Sequence, residues 1–327
     1  MEGPVLITGA NGFIGRRLTR RLLAEGTEVY ALVLPNEPIP IDWEGEVIIH
    51  RGDVTQRETI LALGRGKKKI FHLAAVVSDW GPEALYQQVT VGGTQNVLDA
   101  ALREGAQVVL ASSIIVYGNQ LQKEKCHEAL PYGRAFGPYS RAKQAQEKLA
   151  RAYFEKHGLP VVIIRPANVY GPGCRPWVHE LIQAMQDWPV IVGKGDNNAG
   201  LVYVDNLADL MVLAAGTPKA AGQIYNAAED NPTNWKQYTS DLARLAGIAP
   251  PRSVPRLGAW PVASAMETAW KWLGLKSRPH LTREALNLIT ANYDIPIRKA
   301  RQELGYEPVV SYEEGMEQIG EYFRRLG

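Results

Sequence analysis

Cysteine is scarce: Cys126 and Cys174 are the only two in 327 residues, and neither sits in a CxxC pair. Two isolated thiols cannot build a disulfide framework, and both are expected to be free. No grouping of His, Cys, Asp and Glu has ligand spacing, so no metal is expected. Excess charge of one sign is also missing. The 36 Lys and Arg nearly balance 34 Asp and Glu, which removes the global electrostatic case for nucleic acid as a partner. No uncharged apolar run reaches the roughly 18 residues of a transmembrane segment. A strand-like run starts within four residues of Met1 and leaves no room for a signal peptide. Together these absences predict a cytoplasmic protein. What remains is an ordinary globular composition, 46% hydrophobic and 21% charged, in a chain long enough for a nucleotide-binding domain and a smaller lobe.

The run Val5 to Gly15, VLITGANGFIG, breaks from apolar residues into glycines at Gly9, Gly12 and Gly15. It reads as a buried strand, a tight turn and the start of a helix, expected over Arg16 to Ala24 with Leu18, Leu22 and Leu23 on one face. Glycine serves three purposes in such a turn. It accepts positive φ, it lets a diphosphate reach the N–H groups at a helix N-terminus, and it lets helix and strand pack closely.

Strand and helix signals then alternate. Strands are expected at 28–34, 47–50, 70–73, 107–112 and 161–165, and helices at 57–63, 83–104 and 139–157. Five such alternations predict an α/β Rossmann-type doubly wound parallel sheet, with a smaller C-terminal substrate lobe. Residues 1–170, completed by segments near 200–230, would form the dinucleotide-binding domain, and 171–199 with 231–327 the substrate lobe. The lysines of Gly64 to Lys69 (GRGKKK) read as a solvated loop. Small residues Ala74 and Ala75 follow the fourth strand, at the sheet edge where ligands of open parallel sheets lie. After the second strand, Glu37 stands where an acidic side chain would favour NAD over NADP, although a solvated turn explains it equally well.

Tyr139 and Lys143 share one face of a helix at i, i+4 spacing, downstream of a strand ending in Ser112 and Ser113. A nearby cation favours the phenolate and lowers the tyrosine pKa. Such a tyrosine can take the proton of an alcohol or return one to a carbonyl, while a serine hydroxyl holds the substrate oxygen.

With these pieces assembled, the sequence resembles the extended short-chain dehydrogenase/reductase family. The matching segments are TGANGFIG (Thr8 to Gly15), GDV (Gly52 to Val54), HLAA (His72 to Ala75), GGTQNVL (Gly92 to Leu98), SSIIVYG (Ser112 to Gly118), YSRAK (Tyr139 to Lys143), RPANVYGPG (Arg165 to Gly173) and YVDNLAD (Tyr203 to Asp209). The resemblance implies catalysis by Ser113, Tyr139 and Lys143, with Lys143 also holding the ribose hydroxyls. It implies NAD, with NADP as the alternative. Gly9, Asn11, Gly12, Phe13, Ile14 and Gly15 would meet the diphosphate, and Asp53 and Val54 the adenine. Leu73, Ala74, Ala75 and Ser112 would line the cofactor, and Pro166, Ala167, Asn168 and Val169 its nicotinamide side. One departure concerns position 90: the family often has asparagine before VxGT, and here Thr90 stands there, which leaves the local polar network open. A homodimer through the helices near 83–104 and 139–157 is implied by resemblance alone.

The stretch Pro250 to Pro279, with Trp260, Trp270 and Trp272, is the most individual in the chain. A lid over an apolar substrate, ordinary packing, and a patch touching a membrane surface are the three readings, the last the least expected. Together with YDIPIRKARQELGY (Tyr293 to Tyr306) it resembles the 3β-hydroxysteroid dehydrogenase-like and dihydroflavonol reductase-like branch. The expected activity is an NAD(P)-dependent interconversion of a secondary alcohol and a ketone on a fairly apolar small molecule. The alternative is a nucleotide-sugar 4-epimerase or dehydratase with tightly bound NAD, for which Arg175, Lys194, Arg244, Arg252 and Arg256 are the candidate diphosphate contacts. A protein that binds NAD(P) without turnover is a third reading, against which the intact Tyr139 and Lys143 argue. Arg175 and His179 are also candidates for polar substrate contacts, with a capping arginine and a surface histidine as the plainer readings.

Overall fold

A computed structural model describes residues 3–230 and 233–326. Seven parallel strands form the central sheet: β1 (Val5–Thr8), β2 (Val29–Val33), β3 (Val47–Arg51), β4 (Lys69–His72), β5 (Gln107–Ala111), β6 (Val161–Pro166) and, later in the chain, β10 (Ile224–Ala227). Their spatial order is β10-β6-β5-β4-β1-β2-β3. The order reverses between β1 and β4, so the carboxyl ends of these strands open a crevice there. Between β6 and β10 lie β7 (Asn168–Tyr170), β8 (Val190–Val192) and β9 (Leu201–Tyr203), and β11 (Arg252–Val254) follows. They form two small parallel pairs outside the sheet, β7 with β9 and β8 with β11.

A parallel sheet must be covered on both faces, and the period-two alternation along β1 does this. Val5 and Ile7 pack on one side with Leu18 and Leu22 of α1 (Phe13–Ala24), while Leu6 packs on the other with Ile60 of α2 (Arg57–Gly64). The expected helix over 83–104 is divided. A short α3 (Glu83–Tyr86) runs through a wide π turn, Gln87–Gly92, into α4 (Gly93–Glu104). Thr90 is the cause we can name: its hydroxyl accepts the Val76 N–H at 3.1 Å, and its carbonyl accepts the Thr94 hydroxyl at 2.6 Å. At the head of α4, Gly93 lets the helix close on Val54, whose Cγ2 would lie 2.6 Å from an added Cβ.

The first helix also starts earlier than expected, at Phe13, with Gly12 as its N-cap. The lysine loop is not simply solvated. Lys67 is buried with its ammonium 3.5 Å from the Tyr30 ring centroid, and Lys69 donates to the Ala215 carbonyl at 2.6 Å. Cation–π attraction and a free helix carbonyl account for both.

Helix α5 (Pro138–His157) packs against β6 through an ion pair sealed inside the protein. The Arg165 guanidinium donates to both oxygens of Glu147, Nε to Oε1 at 3.0 Å and Nη2 to Oε2 at 2.7 Å, with both side chains at 2% exposure or less. Tyr132 donates to Oε2, Ser112 donates to Oε1, and Tyr117 accepts from Arg165 Nη1. Such a pair is tolerable because its remaining hydrogen-bonding capacity is filled.

The rest of the chain builds α6 (Glu180–Asp187), α7 (Val204–Gly216), α8 (Trp235–Leu245), α9 (Ala259–Trp272), α10 (Arg283–Thr290), α11 (Arg298–Leu304) and α12 (Tyr312–Leu326). An aromatic cluster of Tyr170, Tyr203, Trp235, Tyr238 and Tyr312 joins the β7-β9 pair to α8 and α12. Both cysteines are free and buried. Among the described residues no helix is long and apolar enough to cross a membrane. Replacing Glu147 with Leu, which strands Arg165, should cost about 3–5 kcal/mol, read as a lower midpoint in urea unfolding. Unchanged stability would refute the anchoring role.

Candidate active site

The glycine turn is closed by backbone contact. A Cβ on Gly15 would lie 2.2 Å from the Gly9 carbonyl oxygen, and one on Gly9, whose φ is +69°, would lie 2.8 Å from the Ala74 amide nitrogen. Gly12 has no side chain to cap α1, so the first-turn N–H groups face the crevice where an anion is favoured. Leu73, Ala74 and Ala75 are half-buried, with the Leu73–Ala74 backbone directly against Gly9. Phe13, Ile14 and Val169 meet in one apolar cluster, which brings the turn against the segment after β6. There Asn168 is buried and donates to the Ala199 carbonyl at 2.7 Å, while the Ala167 amide donates to Ala227. A tight cradle that side chains would fill, beside an uncapped helix start, fits the diphosphate of a dinucleotide.

At the end of β2 the Glu37 carboxylate accepts from Asn11 Nδ2 at 3.3 Å, so an acidic group does stand beside the glycine turn. Arg51 is nearby, but one of its nitrogens is spent on the Leu34, Pro35 and Glu37 carbonyls. Asp53 caps its own turn through the Thr55 amide, and Val54 is buried beneath it.

Tyr139 stands in the first turn of α5 and Lys143 in the second. The Ser113 hydroxyl is close enough to the phenol to favour its ionised form, and its Oγ accepts the Ile115 amide at 3.2 Å. Ser112 points elsewhere, its hydroxyl committed to Glu147. The Lys143 ammonium lies 6.0 Å from the Tyr139 ring centroid and donates to the Ala111 carbonyl at 2.7 Å and to Gln146 Oε1 at 2.9 Å.

Proximity alone does not produce the expected phenolate. Desolvation pushes the Tyr139 phenol up to about 12, against the Ser113 hydroxyl that lowers it, although the residue keeps partial exposure. Desolvation likewise brings the Lys143 amine down to about 7. Burial penalises each charged form more than the pair's separation can repay.

Behind Lys143 runs a chain of buried polar side chains that includes the departure at position 90. Thr94 gives its proton to the Thr90 carbonyl, so its oxygen only accepts from the others: from Gln146 Nε2 at 2.7 Å and from His72 Nε2 at 2.9 Å. This fixes His72 as the Nε2–H tautomer, with Nδ1 accepting from Thr8 at 2.7 Å. Desolvation holds that histidine neutral, at about 3. It also fixes the Gln146 amide with its oxygen towards Lys143. Gln146 was missed in the sequence because its polar role exists only once Thr94 and Lys143 are adjacent.

Glu284 on α10 was also missed. Its Oε2 lies 2.6 Å from the Ser140 hydroxyl, next to Tyr139, and burial pushes it up to about 7. Nothing in the local sequence around Glu284 marks it. Two proposed substrate contacts are used elsewhere: Arg175 is exposed and paired with Glu180, and His179 packs edge-on to Tyr322 and Phe323.

A glycine cradle at a helix start, with a tyrosine, a lysine and a serine at the same sheet edge, defines a dinucleotide-dependent oxidoreductase. The family described as "NAD dependent epimerase/dehydratase family" matches residues 5–228, and the chain belongs to it as an extended short-chain dehydrogenase/reductase. It is 29% identical to a 2-alkyl-3-oxoalkanoate reductase of Stenotrophomonas maltophilia (strain K279a), over 96% of this chain and 98% of that one. It is 31% identical to a 3-beta-hydroxysteroid dehydrogenase of Mycolicibacterium neoaurum, over 99% and 92%. The solved structure of MoeE5 in complex with UDP-glucose and NAD is 27% identical, with a TM-score of 0.76 and 99% of each chain covered.

Replacing Gln146 with Met keeps the volume and removes both hydrogen bonds. Losing a bond to a charged partner costs about 1.5–3 kcal/mol, so the melting temperature should drop, and kcat/KM measured well below it should fall on the order of ten- to a hundredfold. Wild-type kinetics in that variant would refute the positioning of Lys143 by Gln146.

Proposed function

We propose that this protein interconverts a secondary alcohol and a ketone on a fairly apolar small molecule, with Tyr139 as acid/base, Ser113 on the substrate oxygen and Lys143 supporting Tyr139. The observation that carries the apolar substrate is the wall beside the catalytic helix. Phe136, three residues before Tyr139, packs on Trp260 of α9 with ring centroids 5.1 Å apart, and Trp80 lies under Lys271. The names of the two relatives, which act on an alkyl oxoalkanoate and a steroid, point the same way.

NAD would be held by the Gly9 to Gly15 turn, by Asp53 and Val54, by Leu73 to Ala75 and by Pro166 to Val169, with Glu37 favouring NAD over NADP. When bound, it supplies or accepts the hydride. The chain's own part is proton transfer. Ser113 donates to the substrate oxygen, Tyr139 gives that oxygen a proton in reduction or removes it in oxidation, and Lys143 in its ammonium form favours the phenolate. Oxidation needs the deprotonated phenol, so its rate should rise with pH, and reduction should fall.

Residues 1–170 with the segments near 200–230 would then be the NAD-binding domain, and 171–199 with 231–327 the substrate lobe. A cytoplasmic homodimer through α4 and α5 completes the reading. Ala145 and Ala152 are half-buried on α5 and available to a partner, Leu149 is half-buried against the chain's own core, and Ala142 is fully buried.

The sugar-nucleotide alternative draws on MoeE5 and on one cleft of about 530 Å³, where Lys194 and Arg256 sit together with Asp196. Against it, Arg256 is already bonded to Gln122 and the Thr290 carbonyl, and Arg244 to Asp241. Mass spectrometry of nucleotide released on denaturation separates the two: near-stoichiometric NAD favours the alternative, and an empty protein that binds added NAD favours exchange. Replacing Tyr139 with Phe should abolish turnover of hydrophobic alcohols and ketones while NAD binding by calorimetry stays within about twofold, since general acid–base catalysis carries on the order of 10²–10⁴ in rate. Turnover surviving in that variant would sink the mechanism.

A further inference from the structure

Helix α9 is amphipathic with its apolar stripe on the outside. Its inner face, Trp260, Ala263, Glu267 and Trp270, is buried or half-buried, and Glu267 holds Arg283 of α10 with Oε2 to Nη2 at 2.7 Å. The outer face, Pro261, Val262, Ala265, Thr268, Ala269 and Trp272, is exposed and carries no charge. A helix on a globular protein ordinarily turns the charged side outwards. The chain continues the pattern past the helix: Trp272 is 86% exposed and Leu273 59%, Leu275 is exposed too, and Leu257 just before the helix is 95% exposed.

The segment that carries this stripe has charge of almost one sign. From Ala246 to Thr282 the sole carboxylate is Glu267, which is buried, while Arg252, Lys271 and Lys276 are exposed. Two acids of a neighbouring segment are held by arginines: Asp79 by Arg278, and Glu83, near Lys271, by Arg141. An uncharged stripe with a tryptophan at one end, bracketed by cations and with no exposed carboxylate in its own segment, complements an anionic bilayer interface: the apolar side chains enter the headgroup boundary and the lysines meet lipid phosphates. The near balance of the whole chain, +2 at pH 7, conceals this because the acids lie elsewhere.

We propose that the outer face of α9 and the turn after it, up to Lys276, dock on an anionic lipid surface. The inner face of the same helix carries Trp260 onto Phe136, so docking would put the bilayer on one side of the lid and the catalytic helix on the other. Direct uptake of a membrane-dissolved substrate through this lid rests on the apolar-substrate reading above; the docking surface itself does not.

The test is flotation of the full-length protein with vesicles of phosphatidylcholine alone or mixed with phosphatidylglycerol, at low and high salt. The protein should float with the anionic vesicles, and salt should weaken the association. Trp272→Ser combined with Leu273→Ser, and separately Lys276→Glu, should each weaken it at least about tenfold, with melting temperature and NAD binding unchanged. No association with anionic vesicles at low salt would overturn the proposal, as would wild-type association in both variants. So would a dimer in solution that falls apart in the Trp272→Ser, Leu273→Ser variant, which would assign the face to a second copy of the chain.

Discussion

The site depends on an ion pair that no substrate touches. Glu147 and Arg165 meet in the interior, where an unpaired charge would be very costly, so the guanidinium fork dictates where α5 can lie against β6. Around the pair gather Ser112 from the end of β5, Tyr132, and Tyr117, which passes the network to Asn226 of β10. The carboxyl ends of three neighbouring strands and the catalytic helix are thereby held as one body. Lys143 and Tyr139 lie one and two turns, respectively, towards the N-terminus from Glu147 on that helix, so the error allowed to them is set by this pair.

The same burial that makes the anchor strong shifts the neighbouring reactive groups towards their uncharged forms. Lys143 is surrounded by the Ala111 carbonyl and the Gln146 amide, both neutral acceptors, which recover only part of the hydration an ammonium loses. The cation that should tune Tyr139 is itself disfavoured until further polar groups enter the crevice. The arrangement prepares geometry first and charge second, and Gln146 supplies the geometry. Its orientation follows from Thr94, whose single proton is taken by the π turn at Thr90. An irregular turn in one helix thus fixes the aim of a lysine in another.

Much of this was readable in the residues. The glycine turn, the strand and helix alternation and the Tyr139/Lys143 pair are local patterns, with periods and spacings that the chain's own geometry imposes. The first helix was read three residues late because Phe13 and Ile14 look like a continuation of the turn, and the π turn was missed because Gln87 to Gly92 has helical composition. Gln146 and Glu284 were invisible for another reason. Each is an ordinary polar residue on a helix, and its meaning arises from a partner in a distant segment, Thr94 for one and Ser140 for the other. The phenol's raised pKa was misjudged on similar grounds, since spacing reports proximity and says nothing of desolvation.

The segment around α9 shows how far fold and substrate are separable. The MoeE5 likeness extends over nearly the whole chain, yet recognising a diphosphate requires cations left free to converge. Here Arg175 is paired with Glu180, Arg244 with Asp241, and Arg256 closes the chain onto Gln122 and Thr290. The sheet edge is equipped for a dinucleotide whichever substrate follows. What distinguishes this chain lies in residues 250–280, where the aromatic inner face of α9 meets Phe136 and the cations sit on the rim. A lobe that spends Arg175, Arg244 and Arg256 on its own contacts and places Trp260 against Phe136 beside the site selects for apolar area. Polar ligands would have to displace contacts that the protein already makes to itself.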